Sequence, residues 1–381
     1  MTGVTPLSIL DLSPVVEGSD PREAIAHTLD LARRAEEFGY HRYWLAEHHF
    51  APGVASSAPA VLIGAVAAAT RRIRVGSGAV QLGHQTPLSV VEQFGTLDAL
   101  HPGRIDLGLG RSGQRVIESR LQPETPEQEE RIVDGLLIPK PFSFAQLLTD
   151  GSRLAKLTTL LQQPGAQTPD FAEQVAQIQA FLSGQFTVDG EPLDAVPGKG
   201  AAVQLWILGS SGGQSARLAG ALGLPFAANY HVAPSAVLEA VQGYRAAFRP
   251  SAVLARPYVI VSVDVVAADD EATARRLASP YGLWVRGIRA GGGAIPFPSE
   301  EQAAAHVWSD EDRALVDDRV RTQFVGDPET VAGKLRVLRD VTGADELLLT
   351  TITHRHEDRV RSYELIAKAW GEPGTYAAGA S

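Results

Sequence analysis

Apolar residues recur along this chain in two rhythms. Short runs rich in β-branched and aromatic residues, bounded by Gly, Pro or Asp, alternate with longer segments whose apolar positions return every three or four residues. These are the signatures of strands and of amphipathic helices. The strand-like runs are LSILDLS from Leu7, YHRYWLAE from Tyr40, IRVGSGAVQL from Ile73, RIDLGLG from Arg104, VQLWILGS from Val203, PFAANYH from Pro225, YVIVSVDVVA from Tyr258 and ELLLTTIT from Glu346. Helical patterns separate most of them. The first, DPREAIAHTLDLARRAEEFG, opens with Asp20 as N-cap, Pro21 at N1 and Glu23 at N3, and closes on Gly39. Others are APAVLIGAVAAAT, PLSVVEQFGTLDAL, GQSARLAGALG, SAVLEAVQGYRAAF, DPETVAGKLRVLRDVTG and HEDRVRSYELIAKAW.

Eight strands alternating with helices predict a (β/α)8 TIM barrel, an α/β fold. The whole chain, 1–381, reads as one barrel domain, and its surplus length falls in two places. An insertion after strand 4 covers about 112–202, is rich in Pro, Gln and Glu, and contains the helical piece FAEQVAQIQAFLSG. A second, after strand 7, covers about 282–321, where RAGGGAIPFPSEE reads as a mobile loop and residues 282–299 as a candidate lid.

Composition narrows the chemistry. With no cysteine there is no thiolate nucleophile, disulfide framework or Cys-ligated metal. A net charge of -10 without a Lys/Arg block argues against nucleic acid and favours a small-molecule substrate. No apolar run approaches the ~20 residues of a membrane span, and the N-terminus lacks a signal-peptide pattern, so the expected location is cytoplasmic.

In a barrel, catalytic side chains project from the C-terminal ends of the strands. Glu47, His48 and His49 stand at the end of the second. Neighbours on an extended strand point to opposite faces, so His48 and His49 are poor joint ligands for one metal ion, and none is expected. Acid/base work by one histidine, oriented by Glu47, and a pair of strand-end histidines satisfied by backbone stand level on these residues alone. In the third strand, the small residues Gly76 to Ala79 suggest a bulge or a strained backbone against which a planar ring could lie, followed by Gln81, His84 and Gln85 near the strand end. The run GLGRSG from Gly108 fits a dinucleotide fingerprint only formally, since no clear βαβ helix follows it, whereas Arg111 is a natural partner for phosphate or carboxylate. The run GSSGG from Gly209 lies between a strand and a helix. It reads either as a nucleophile elbow with Ser211, its triad improvised from Asp264 and His306 or His354, or as an anion site at a helix N-terminus; the anion site is preferred.

Together, GYHRYWLAEHHF, RIRVGSGAVQL followed by PLSVVEQFGTLDALHPGRIDLGLGR, and LWILGSSGGQSARLAGALGLPFA resemble the bacterial luciferase-like flavin-dependent monooxygenases, in its single-chain, non-luminescent branch. The resemblance implies a barrel, often dimeric, that binds reduced FMN or, in one branch, the deazaflavin F420 at its C-terminal mouth. His48 then matches a histidine near the reacting edge of the flavin, and His49 a structural neighbour. The Gly78-Ala79 bond matches a cis peptide beneath the isoalloxazine, Arg111 a phosphate-binding arginine, and Ser211, with Ser210 and Gly212, the phosphate contacts. Ser210 and Gly110 replace an acidic residue and a cysteine of the light-emitting enzymes, so light emission is not implied. The implied activity is oxygenation of a small organic substrate through a C4a-peroxyflavin, with reduced FMN supplied by a separate flavin reductase and the chain forming a homodimer. F420-dependent hydride transfer, a serine hydrolase using Ser211, and a non-catalytic flavin carrier are the rivals.

Overall fold

The computed structural model describes residues 4–111, 128–142 and 160–371. Eight strands, β1 (Leu7–Asp11), β2 (Arg42–Leu45), β3 (Arg74–Ser77), β4 (Ile105–Gly110), β5 (Gln204–Gly209), β6 (Phe226–Asn229), β7 (Val259–Ala267) and β8 (Glu346–Thr350), run parallel in chain order. The sheet closes on itself. β4 pairs with β5 from Asp106↔Gln204 to Leu109↔Ile207, and β8 returns to β1 through Leu347↔Leu7. The expected third strand ends at Ser77 and resumes as the short piece Val80–Gln81, with a cis Gly78-Ala79 peptide at the break.

The helices form where caps and periodicity place them. Helix α1 (Pro21–Glu37) begins at Asp20, whose carboxylate accepts from the N–H groups of Arg22 and Glu23 at 2.8 and 3.0 Å, satisfying donors the first turn leaves over. Helices α2 (Pro59–Ala69) and α3 (Pro87–Leu100) both start on proline, followed by α4 (Phe171–Ser183), α5 (Gln214–Ala221) and α6 (Val237–Ala247). After β7 come α7 (Glu271–Ala278), α8 (Tyr281–Arg289), α9 (Glu300–Ala305), α10 (Asp310–Thr322) and α11 (Pro328–Thr342), and α12 (His356–Trp370) follows β8. Among the described residues no helix is long and apolar enough to cross a membrane.

Alternation along each strand sends one set of side chains outward, against the helices, and the other into the barrel. At the N-terminal end the inward set is charged. Arg42 donates to Asp106 at 2.8 Å, to Gln204 at 2.6 Å and to both oxygens of Glu346 at 3.1 Å, while Arg74 reaches Asp106 at 2.6 Å. Burial alone would raise the Asp106 pKa, but the two guanidinium groups hold it below the usual carboxylate range. Above this plug lies an apolar layer of Leu10, Trp44, Trp206, Ala227, Ile260 and Leu348. Among the described residues the barrel interior is thus filled at its N-terminal and middle levels, which leaves the C-terminal ends of the strands for a site.

The second insertion folds mostly as α8, α9 and α10, and the run read as a loop, RAGGGAIPFPSEE, is largely the irregular connection from Ala290 to Ser299. That connection is tied down. Phe297 is fully buried and exchanges backbone hydrogen bonds with Val15 and Glu17 at 2.8 and 2.9 Å, and the Gly53 N–H donates to the Ala294 carbonyl at 2.7 Å. A β-carbon at Gly53 would lie 1.8 Å from the Ile295 oxygen, so this seam requires glycine.

Candidate active site

At the mouth, β3 and β4 present a wall without side chains. Their successive inward positions are Gly76, Gly78, Gly108 and Gly110. A β-carbon on Gly108 would come within 2.1 Å of the Ser77 oxygen, so the two strands approach as closely as glycine permits. The Gly78 position faces Leu10 and Trp44 of the apolar layer. Such a surface admits a flat ring that any larger residue would obstruct.

Arg111 follows β4, and β4 is the barrel neighbour of β5, so it meets the turn at the end of β5. Its Nη1 donates to Gln214 Oε1, the first residue of α5, at 2.7 Å, and Gln214 in turn donates to Asp170, the N-cap of α4, at 2.9 Å. Ser210 is buried, Ser211 and Gly212 are half-buried, and the Gly213 N–H points back to Ser211 Oγ at 3.4 Å. The cap of α5 receives no side-chain hydrogen bond, which leaves its first N–H groups for an anion. Arginine and helix start thus converge from strands that the sequence separates by about 100 residues.

His48 lies beyond β2 with its side chain exposed, yet protein surrounds the residue. Both hold for a ring on the floor of an open funnel. Desolvation, and next the proximity of His49, push its pKa below that of ordinary imidazole, against the opposing pull of Glu47. The expected orientation of His48 by Glu47 is not the pairing that forms. The buried Glu47 carboxylate lies 2.9 Å from His49 Nε2 and 2.7 Å from His84 Nε2, and accepts from the Gln81 N–H at 2.9 Å and the Gln85 amide at 3.2 Å. These bonds, against the opposing effect of burial, hold its pKa below the ordinary value.

Across the mouth stand His231, Asn229, Tyr281 and Arg319, which sequence reasoning missed, around Asp264, which it offered only as an improvised triad partner. His231, just past β6, meets Ser262 Oγ through Nδ1 at 2.6 Å. Burial, then the charges of Arg319 and His48, push its pKa down to about 3. Next to it, Asp264 of β7 pairs with Arg319 of α10 at 3.2 Å and with the Tyr281 hydroxyl of α8, to which Arg319 also donates at 2.6 Å. Asn229, on the inward face of β6, holds its Oδ1 buried without a partner among the described residues. For Asn229, His231 and Asp264 the sequence signal is a place at or near a strand end, whereas Tyr281 and Arg319 come from helices.

The hydrolase triad is not assembled. Asp264 is engaged by Tyr281 and Arg319, His354 contacts the Glu17 carbonyl at 3.1 Å, and His306 lies 3.6 Å from Asp312.

Comparison with known proteins bears on the family and the fold. The profile of the luciferase-like monooxygenases matches residues 6–136 and 155–346. The chain belongs to the luciferase-like monooxygenase family. Among members of this family, it is 37% identical to a luciferase-like monooxygenase of Escherichia coli (strain K12), with 94% of this chain and 95% of that one covered. It is 41% identical to Bacillus subtilis (strain 168) YvbT, over 96% of this chain and 97% of that one. The crystal structure of apo-MsnO8 superposes with a TM-score of 0.77 at 33% identity, covering 97% and 98% of the two chains. Two remoter structures share the fold: the FMN complex of the oxygenating constituent of 3,6-diketocamphane monooxygenase from Pseudomonas putida, TM-score 0.59 at 19% identity over 96% and 97%, and an F420-dependent secondary alcohol dehydrogenase, TM-score 0.61 at 14% identity over 97% and 100%. A luciferase-like monooxygenase is an oxidoreductase, and the sequence-level reading of family, barrel and enzyme class holds.

Proposed function

We propose that this protein is a flavin-dependent monooxygenase that takes reduced FMN from a separate reductase and oxygenates a small organic substrate. The observation that carries the reading is the junction of a wall without side chains, Gly78, Gly108 and Gly110, with the Arg111 and Ser210–Gly213 grip at its edge. An isoalloxazine fits the first and its phosphate the second. Asn229 Oδ1, buried and without a partner among the described residues, offers an acceptor on the same mouth.

Reduced flavin, when bound, supplies the electrons for reaction with O2. The chain supplies the rest. Arg111 and the α5 N–H groups take the phosphate charge, and Ser210, Ser211 and Gly212 fix its position. The glycine wall, beside the Gly78-Ala79 peptide, sets the plane of the ring. His48, whose low pKa keeps it uncharged near neutrality, accepts or returns a proton at its imidazole nitrogen at the reacting edge. The apolar layer of Leu10, Trp44 and Trp206 below excludes water.

The test is oxygen consumption by protein, reduced FMN and a panel of small organic substrates, with peroxide measured in parallel. A monooxygenase shows a substrate that diverts consumed oxygen from peroxide into product. If every substrate leaves peroxide equal to oxygen consumed, the protein is a flavin carrier. Turnover with reduced F420 under anaerobic conditions would move the assignment to hydride transfer.

A further inference from the structure

Behind the strand end that delivers His48, three side chains from two loops bring one atom each to a common point. Glu47 Oε1 lies 2.9 Å from His49 Nε2 and 2.7 Å from His84 Nε2, and the two ring nitrogens are 3.1 Å apart. Hydrogen bonding does not account for all three separations. The carboxylate oxygen only accepts, and each Nε2 carries at most one proton. If both nitrogens are protonated and aimed at Glu47, the His49–His84 edge sets N–H beside N–H. If one is bare, its edge with Glu47 sets lone pair against lone pair. Three lone pairs directed at one cation remove the conflict.

From this geometry we infer a divalent transition-metal site formed by Glu47, His49 and His84. With metal–ligand bonds of about 2.1 Å, separations of this size subtend about 90° at the ion, whereas a tetrahedral centre would spread the same atoms to about 3.4 Å. The arrangement is one face of an octahedron, two imidazoles and a carboxylate, with the remaining positions left to water. Its surroundings suit the role. The second carboxylate oxygen, Oε2, accepts from the Gln81 N–H at 2.9 Å, and the Gln85 amide bridges Oε1 and Oε2 at 3.2 and 3.3 Å, which fixes the carboxylate with Oε1 beside the two rings. Glu47, His49 and His84 also line a cavity of about 590 Å³ whose other walls come from the start of α2 and the outer side of α3, including Pro59, Val61, Gln93 and Thr96. An ion reaches the site through that cavity, on the outer side of the barrel.

The sequence argument against a metal concerned His48 and His49, which do diverge along the chain. His84 takes the place of His48 because β2 and β3 are paired neighbours, with Leu45 opposite Ser77. An ion there clips the loop that carries His48 to the loop that follows the Gly78-Ala79 peptide.

Tag-free protein, stripped with chelator and dialysed, is titrated with Co2+, Zn2+, Mn2+ and Ni2+ by calorimetry, and the Co2+ complex is examined by absorption. The expected result is one ion per chain, with the weak visible bands of six-coordinate cobalt. His84→Gln and His49→Asn each abolish that binding, while Gln85→Ala weakens it about tenfold or more. Circular dichroism and reduced-flavin titration of each variant show that the fold persists, so loss of metal is read apart from loss of structure. Absence of saturable binding in the wild-type protein, or binding unchanged in both histidine variants, overturns the site. The readout does not depend on turnover, so it stands or falls separately from the monooxygenase reading.

Discussion

The phosphate grip makes a quantitative demand. Replacing Arg111 by alanine removes a guanidinium whose plane is already fixed by the 2.7 Å bond to Gln214, so the wild-type residue spends little order on meeting an anion. A hydrogen bond to a charged partner contributes about 1.5–3 kcal/mol, and each 1.4 kcal/mol is a factor of ten, so reduced FMN should bind about 10- to 150-fold more weakly to Arg111→Ala. Ser211→Ala, losing one neutral donor to the same anion, should fall at the low end of that range, about 1.5 kcal/mol or about tenfold. The assay is anaerobic fluorescence titration with reduced FMN and with reduced riboflavin. Riboflavin shares the ring and lacks the phosphate, so its affinity should be the same for wild type and Arg111→Ala. Equal losses for the two ligands would refute the assignment, because Arg111 would then be supporting the mouth as a whole.

Other consequences follow from the same geometry. His48→Gln should keep reduced-FMN affinity close to wild type while lowering substrate-coupled oxygen consumption by about 10²–10⁴, the range of general acid–base catalysis; coupled rates at the wild-type level would remove His48 from the chemistry. Arg42→Met leaves Asp106 with Arg74 and Trp44 but strips Glu346 of its cation, and denaturant unfolding should register a loss of about 3–5 kcal/mol, with a change below about 1 kcal/mol contradicting the role of the plug. His231, with a pKa pushed down to about 3, should stay neutral from pH 8 to about pH 4 in histidine NMR spectra. Its imidazole titrates near 6.5 in the unfolded chain, so the unfolded state binds the proton first, and this residue's contribution to stability, full above about pH 6.5, is lost as pH falls toward 3. A His231 ring that charges near pH 6.5 would show that the mouth is wetter than described.

What the sequence disclosed was local. Parallel strands buried on both faces read as near-continuous apolar runs, so all eight were visible, and Asp20, Pro59 and Pro87 announced their helices. The glycines at 76, 78, 108 and 110 were also visible as a departure from strand composition. What stayed hidden depends on register between strands far apart in the chain. Glu47 finds His84 rather than His48 because β2 and β3 lie side by side, and Asp264 finds Tyr281 and Arg319 across an insertion whose packing no short window shows. In 282–321 the loop was legible but the helix before it was not, for a different reason. Tyr281, Trp284, Val285 and Arg289, the buried positions of α8, follow helical spacing, but Gly282, Gly287 and the GGG run after them masked it, since glycine weakens every helix pattern it enters.

The central claim, a reduced-flavin site at the mouth of this barrel, is tested most directly by anaerobic titration of the purified protein with reduced FMN, oxidised FMN and reduced F420 side by side. The account predicts saturable binding of reduced FMN at one per chain, weaker binding of the other two, and retention of the preference in His48→Gln. Preference for reduced F420, or binding of none of the three, would contradict it.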